Sequence, residues 1–141
     1  MATTTATITL ASSDIMDNNI SISNTATLTT AGTDTGISKT TGIARRTFAT
    51  NSNTILLDHG LTSGIAEDVT ADKSAKVYIR NVNDRGDGTK YVNILIVSRE
   101  IGRLYGGDWM FIPWSGGSGK DIEFTASDST ETTLEYAVFY E

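Results

Sequence analysis

Apolar and polar side chains alternate with a period of two residues along much of the chain, and the pattern is strongest after residue 75. This pattern is typical of β-strands that bury one face, whereas apolar residues on both faces, as in 91–97, favour a central strand of a sandwich. Clusters of glycine, asparagine, aspartate and serine separate these segments, as turns require. No window sustains a 3.6-residue period, so we predict no long helix. The strongest predicted strands are 76–81, 91–97, 109–114, 121–126 and 132–140.

Residues 1–44 are rich in threonine and serine and carry only four ionisable side chains. Ala6, Ile8 and Leu10 alternate with threonine, which predicts a strand. The apolar side chains of this segment are nevertheless too small and too few to build a core alone. We therefore predict Thr-rich N-terminal strands, forming an extended arm, over 1–45, and a β-sandwich over 46–141, within one domain overall.

The predicted fold class is all-β, an antiparallel β-sandwich or jelly-roll-like fold, with a small barrel as the alternative. One further strand is predicted over 43–49, with Arg45 and Arg46 exposed. The segment 83–88 is dense in turn-forming residues and lies between two strong strands. We predict that it is an exposed hairpin tip that accepts insertions.

Composition and charge narrow the functional classes. The net charge of -6 argues against nucleic acid as a partner, because phosphate binding needs a basic face. The absence of cysteine excludes disulfides, thiolate nucleophiles and zinc sites of cysteine type. No apolar stretch is long enough for a transmembrane helix, and the first ten residues lack the features of a signal peptide.

The sequence contains several short motifs that resemble functional sites, and none of them forms a catalytic site. The segment 115–120 (SGGSGK) lacks the first glycine and the final Ser or Thr of a phosphate-binding loop. The tripeptide Arg-Gly-Asp at 85–87 matches an integrin-type recognition motif, but glycine and aspartate are also the residues that a turn favours. The acidic residues around it lack the spacing of a calcium-binding loop. His59 is the only histidine and has no nucleophile-elbow motif to serve. Glu123 and Glu135 would suit a glycosidase pair on adjacent strands, but solvated positions are the simpler interpretation. We expect no catalytic residue, cofactor or metal.

The aromatic residues near two turns are more informative. They are Tyr105, Trp109, Phe111 and Trp114. Aromatic side chains dominate burial in cores and interfaces, so we predict that these four plug the end of the sandwich or form a subunit interface. The alternative is that exposed tryptophan and tyrosine rings stack on sugars, as in a carbohydrate-binding module.

The chain resembles small virion structural proteins of tailed marine bacteriophages. The resemblance is carried by KVYIRN at 76–81, Tyr91, IGRLYGGDWMFIPW at 101–114 and TTLEYAVFYE at 132–141, together with the Thr-rich opening. It covers most of the chain and is specific from residue 76 onward. It brings no catalytic motif with it.

The role that this resemblance implies is a capsid decoration, or cement, protein. Its expected partners are further copies of itself, as a homotrimer, and the major capsid protein, in a virion assembled in the host cytoplasm. The alternative is a tail or fibre module that recognises carbohydrate or a receptor. A small hydrolase is the third class, and it is the weakest because no nucleophile, base and metal set can be assembled.

Overall fold

The computed structural model describes residues 3–14, 19–29, 36–37, 39–58, 75–86, 88, 90–115 and 119–140. These residues form β-strands and contain no helix. The strands are β1 (Thr5–Ser12), β2 (Ile20–Thr27), β3 (Lys39–Thr40), β4 (Ala44–Phe48), β5 (Thr54–Leu57), β6 (Ala75–Asn81), β7 (Tyr91–Ile96), β8 (Arg99–Tyr105), β9 (Trp109–Trp114), β10 (Ile122–Ala126) and β11 (Thr132–Tyr140).

The chain divides into two compact units, Met1–Ser38 and Lys39–Glu141. In the first unit β1 and β2 form a two-stranded antiparallel sheet, in register from Thr5 opposite Thr27 to Ser12 opposite Ile20. The predicted strand that contains Ile8 and Leu10 is therefore present, while an extended arm is not confirmed. The division between the two units falls before β3.

The second unit is built from two antiparallel sheets. One sheet has four strands in the order β5-β10-β7-β8. The other has the order β3-β11-β6-β9, and β4 pairs with β11 on the same edge as β3. Gly42, at φ 69°, lies at the break between β3 and β4. This arrangement confirms the predicted all-β antiparallel fold.

The pairing follows the nested order of a jelly roll. β7 pairs with β8, β6 with β9, β5 with β10 and β4 with β11, so the chain from β4 to β11 folds back on itself at one central turn. The pairs β7-β8 and β5-β10 lie in the four-stranded sheet, and the pairs β6-β9 and β4-β11 lie in the five-stranded sheet. The ladders between β11 and β6 and between β10 and β7 then join the pairs within each sheet, as in a roll of two Greek keys.

Apolar side chains from both sheets fill the space between them. The predicted inward faces of β10 and β11 are confirmed, because Ile122, Phe124, Leu134 and Val138 are fully buried. Burying a side chain of this size contributes about 1.5–3 kcal/mol relative to its exposure. The same cluster includes Leu56, Leu57, Val77, Ile79, Val92, Ile94, Leu104, Trp114, Tyr136 and Tyr140.

The prediction of a hairpin at 83–88 is wrong. The strand before it, β6, belongs to the five-stranded sheet, and the strand after it, β7, belongs to the other sheet. The connection is also anchored, because Arg85 Nε donates to the Gly106 carbonyl at 2.9 Å and its guanidinium pairs with Asp108. Alternation shows which face a strand buries but not which strand lies beside it. Asp87 lies outside the described residues.

Arg46 is half-buried rather than exposed as predicted. Its Nη1 donates to the Leu56 carbonyl at 3.3 Å, and its guanidinium lies 4.9 Å from the centre of the Phe48 ring. Arg46 and Phe48 share the inward face of β4, so the long side chain spans the open edge of the sandwich towards β5. Arg45, on the opposite face, is exposed as predicted.

The central turn consists of Val97 and Ser98, between the paired residues Ile96 and Arg99. Both turn residues have positive φ, 53° and 57°, as a two-residue type I′ turn requires. Left-handed backbone costs an L-residue roughly 1–2 kcal/mol, and a β-branched valine is among the residues least suited to it. The backbone of Val97 and Ser98, in the turn between the two innermost strands of the jelly roll, is therefore strained.

The double substitution Val97→Asn with Ser98→Gly should stabilise the protein by about 1 kcal/mol, because asparagine and glycine accept positive φ. Urea unfolding followed by far-UV circular dichroism measures this change. Val97→Thr is the matched control, since it retains β-branching and should leave the midpoint nearly unchanged. A lower midpoint for the double variant would show that the Val97 side chain makes contacts that outweigh its backbone strain.

Gly106→Ala should destabilise the protein by about 1–3 kcal/mol, the usual cost of overpacking. A Cβ there would overlap the carbonyl group of Asp84 and lie 2.8 Å from the Arg85 amide nitrogen, and backbone cannot move aside cheaply. Gly102→Ala is the control, because its Cβ would meet nothing within 4 Å. Equal melting temperatures for the two variants would mean that the 82–90 connection is not held against this turn.

Candidate functional site

The outer face of the five-stranded sheet carries large side chains where a solvated sheet would carry small polar ones. In β6, Val77 and Ile79 are buried in the core, so Tyr78 and its alternating neighbours point outward. The register places Tyr78 directly opposite Phe111 in β9 and Arg80 directly opposite Trp109. This register therefore collects aromatic and cationic groups on one surface.

Four rings form this surface, which we call the aromatic face: Tyr78, Trp109, Phe111 and Phe139. The Tyr78 and Trp109 ring centres are 6.5 Å apart, with planes inclined at 38°. The Phe111 and Phe139 rings are also 6.5 Å apart, in an edge-to-face arrangement. Trp109 is 53% exposed and the other three are half-buried, so the face offers ring surface to a ligand.

A buried carboxylate lies beneath the aromatic face. Glu135 is only 7% exposed, and its Oε2 accepts a hydrogen bond from Arg45 Nε at 2.8 Å, with Arg45 Nη2 at 2.7 Å. The Tyr78 hydroxyl donates to Glu135 Oε1 at 3.4 Å. Burial, and then the negative charge of Glu135, raise the pKa of Tyr78, so the phenol stays protonated as a donor.

The outer face is locally basic although the chain is acidic. Among the described residues of its strands, Lys76, Arg80 and Arg45 contribute three positive charges and Glu135 one negative charge, an excess of two, whereas the chain carries a net charge of -6. Arg45 is matched to Glu135. Within the described residues, Arg80 and Lys76 form no ion pair, and Arg80 interacts with the Tyr78 hydroxyl.

A shallow cavity opens where the rings meet the cations. It has a volume of about 420 Å³ and is lined by Tyr78, Arg80, Gly107 and Trp109. Gly107 has a φ of 83° and carries no side chain that would narrow the opening. The cavity is open to solvent, and its lining combines the rings of Tyr78 and Trp109 with the guanidinium group of Arg80.

The four aromatic residues singled out in the sequence do not lie together. Trp109 and Phe111 lie on the aromatic face, whereas Trp114 is 3% exposed in the core, where its Nε1 donates to the Lys120 carbonyl at 2.7 Å. Tyr105 belongs to the four-stranded sheet, where it packs edge-on against Tyr91 at 5.6 Å. The structure thus divides the four among the core and the outer surfaces of both sheets.

The acidic pair considered in the sequence is not formed. Glu123 lies on β10 and Glu135 on β11, in different sheets. Glu123 Oε2 instead accepts hydrogen bonds from Asn53 Nδ2 at 2.9 Å and from the Ser98 amide at 3.0 Å. Glu135 is buried rather than solvated, so the expectation of a polar, solvated position is wrong for it.

The remaining candidate motifs fall partly outside the described residues. His59 and residues 116–118 of the glycine-rich loop lie there. Among the residues with a described position, no group of three or more His, Cys, Asp or Glu side chains could hold a metal ion. None of the described segments is a helix long and apolar enough to cross a membrane.

Tyr78, Arg80 and Phe139 are surface residues that the sequence analysis did not single out. The sequence does indicate that Tyr78 and Arg80 point outward, because β6 alternates two aliphatic residues with Lys76, Tyr78 and Arg80. Only the pairing of β6 with β9 and β11 brings Tyr78 to Trp109 and to Glu135. The sequence interval between these partners gives no hint of the contact.

Comparisons with protein-family models, with curated proteins and with solved structures found no match to this chain. The functional argument therefore depends on the surfaces themselves.

Truncating the two tryptophans should have opposite consequences for stability. Trp114→Ala should cost about 3–5 kcal/mol, because it empties a buried site. Trp109→Ala should cost about 1 kcal/mol or less, because half of its surface is already in water. Urea unfolding followed by circular dichroism compares them without depending on tryptophan fluorescence. Similar losses for both would contradict the exposed placement of Trp109.

Proposed function

We propose that the protein is a structural component of a bacteriophage virion that decorates the capsid and stabilises it through contacts between subunits. Three features support this role. The first is the resemblance carried by residues 76–81 and 101–114. The second is the jelly-roll order of the second unit, a fold common in capsid and lectin domains, which by itself does not fix function. The third, which carries the proposal, is the N-terminal sheet.

The N-terminal sheet exposes an apolar face that a free monomer would leave in water. Leu10 and Ile22 are paired across β1 and β2, and they are 56% and 53% exposed. Ile8, on the same face, is 40% exposed. A two-stranded sheet is marginally stable by itself and needs a third strand or a packed partner. A partner subunit that covers this face would supply the missing burial.

The opposite face of the same sheet is suited to water. Thr7 and Thr25 hydroxyls are 2.8 Å apart, and Thr9 and Ser23 hydroxyls are 3.4 Å apart. These cross-strand hydroxyl pairs fix the register without burying apolar surface. The sheet therefore has one face for solvent and one for a partner, which favours attachment to a larger assembly.

The partners in this proposal are further copies of the chain, as a homotrimer, and the major capsid protein of the virion. The role requires no catalytic group, cofactor or metal.

The double substitution Leu10→Thr with Ile22→Thr should abolish capsid binding and reduce self-association. Threonine keeps the β-propensity of both positions while removing apolar contact surface. Co-sedimentation with capsids stripped of the protein measures attachment, and light scattering measures the mass of the free protein. The control exchanges the residues of one pair on the opposite face, Thr9→Ser with Ser23→Thr, and should bind normally. Full capsid binding by the Leu10/Ile22 variant would overturn the role assigned to this face.

A tail or fibre module that recognises carbohydrate or a receptor is the second candidate. The aromatic face and its cavity favour it, because an exposed tryptophan beside an arginine is typical of recognition surfaces. Cryo-electron microscopy of the parent particle separates the two roles. Density for the protein on the capsid lattice supports decoration, and density confined to the tail supports the second candidate.

A further inference from the structure

We propose that the cavity on the aromatic face is a binding site for an acidic saccharide, that is, a sugar chain carrying carboxylate groups. The inference rests on the outer face of the five-stranded sheet alone and goes beyond capsid attachment, which was assigned to the N-terminal sheet. A decoration protein and a tail module could each carry such a site.

The exposed ring surface is the first observation. Trp109 is 53% exposed, and its ring lies at 38° to that of Tyr78, so the two form a shallow platform. One side of a pyranose ring presents C–H groups, which are apolar and slightly positive at the hydrogens. Such a face packs well on the electron-rich face of an indole or a phenol. Flat platforms of this kind favour sugars over compact ligands that need an enclosed pocket.

The charge of the site is the second observation, and it selects an acidic sugar. Arg80 lines the cavity beside Trp109, has no ion-pair partner in the described part of the chain, and carries a planar fork of donors that matches a carboxylate. Lys76 lies on the same face of β6, about 13 Å from Arg80 along the strand, and does not line the cavity. Glu135, the acidic residue on this face, is turned to Arg45 and is 7% exposed.

The net charge of the chain does not cancel this preference. Exposed charges separated by more than about 8 Å are largely screened at physiological ionic strength, so Arg80, the cation that lines the cavity, has the largest influence on the charge of the ligand. Two cations are too few to form the basic track that a nucleic acid requires. A peptide added as a strand would need an open sheet edge, whereas the cavity lies on the face of the sheet.

The hydroxyl of Tyr78 is the third observation. It donates its proton to Glu135 at 3.4 Å, and Arg80 acts on the same oxygen as a hydrogen-bond donor, so Tyr78 links the buried carboxylate to the arginine of the cavity. The amide of Gly107 is already used by the Asn81 carbonyl at 2.8 Å. Recognition in the cavity therefore comes from the side chains of Tyr78, Arg80 and Trp109.

The test is isothermal titration calorimetry of the full chain with matched acidic and neutral probes. The probes are a trigalacturonate and its carboxyl-reduced form, and sialyllactose and lactose. We expect at least one acidic probe to bind at least about tenfold more tightly than its neutral partner, with the difference shrinking as salt rises from about 50 to about 500 mM.

Two variants separate the stacking contribution from the charge. Trp109→Ala should weaken binding of the acidic probe at least about tenfold, and Trp109→Phe should weaken it less. Arg80→Gln should abolish the preference for the acidic over the neutral probe. The matched control is Arg103→Gln, which removes an arginine that lies over Tyr91 on the other sheet, and it should bind as the wild type does. Circular dichroism verifies that each variant is folded.

Three outcomes would overturn the proposal: equal binding of acidic and neutral probes, no binding of any probe, or a Trp109→Ala variant whose main defect is loss of self-association. The last result would assign the aromatic face to a contact between copies of the chain. Capsid co-sedimentation of the same variants should be normal, so failure of the saccharide site is distinguishable from failure of the decoration role.

Discussion

The ladder between β11 and β6 is the feature on which the rest of the second unit depends. Six residue pairs join these strands, from Leu134 opposite Asn81 to Phe139 opposite Lys76. Inward positions along the ladder supply Val77, Ile79 and Val138 to the core. Because successive residues of a strand point to opposite faces, the same register fixes the outer face as well. A slip of one residue would exchange the residues of the core and those of the aromatic face.

The aromatic face shows how a buried charge is kept in a sheet. Glu135 loses most of its water, and such a carboxylate is tolerated only when a partner and hydrogen bonds replace that water. Arg45 from β4 and the Tyr78 hydroxyl from β6 provide them, one from each strand beside β11. The arrangement fixes the phenol ring of Tyr78 next to Trp109. The hydrogen bond from Tyr78 to the buried Glu135 thus helps to orient the Tyr78 ring beside Trp109.

The two proposals assign attachment and recognition to different surfaces, one on each unit. The N-terminal sheet has an apolar face with Leu10 and Ile22 exposed, which suits attachment to a partner. The outer face of the five-stranded sheet is aromatic and locally basic, which suits a soluble anionic ligand. Burial of apolar surface is a non-directional source of affinity, whereas the guanidinium group of Arg80 beside the Trp109 ring can form directional hydrogen bonds that give specificity. We infer that attachment and recognition can change independently of each other in this architecture.

The sequence by itself determined the fold class and most inward residues, because alternation depends only on the period of a strand. Ile122, Phe124 and Leu134 are buried as that alternation predicts. It could not determine which strands are neighbours, since pairing depends on residues far apart in the chain. For that reason the 83–88 segment was wrongly predicted as a hairpin, and Arg46 was wrongly predicted as exposed. Of the residues of the candidate site, the sequence analysis singled out only Trp109 and Phe111. Only the tertiary structure added Tyr78, Arg80 and Phe139, because the register of β6 between β9 and β11 brings together side chains such as Tyr78 and Phe139, which are 61 residues apart in the sequence.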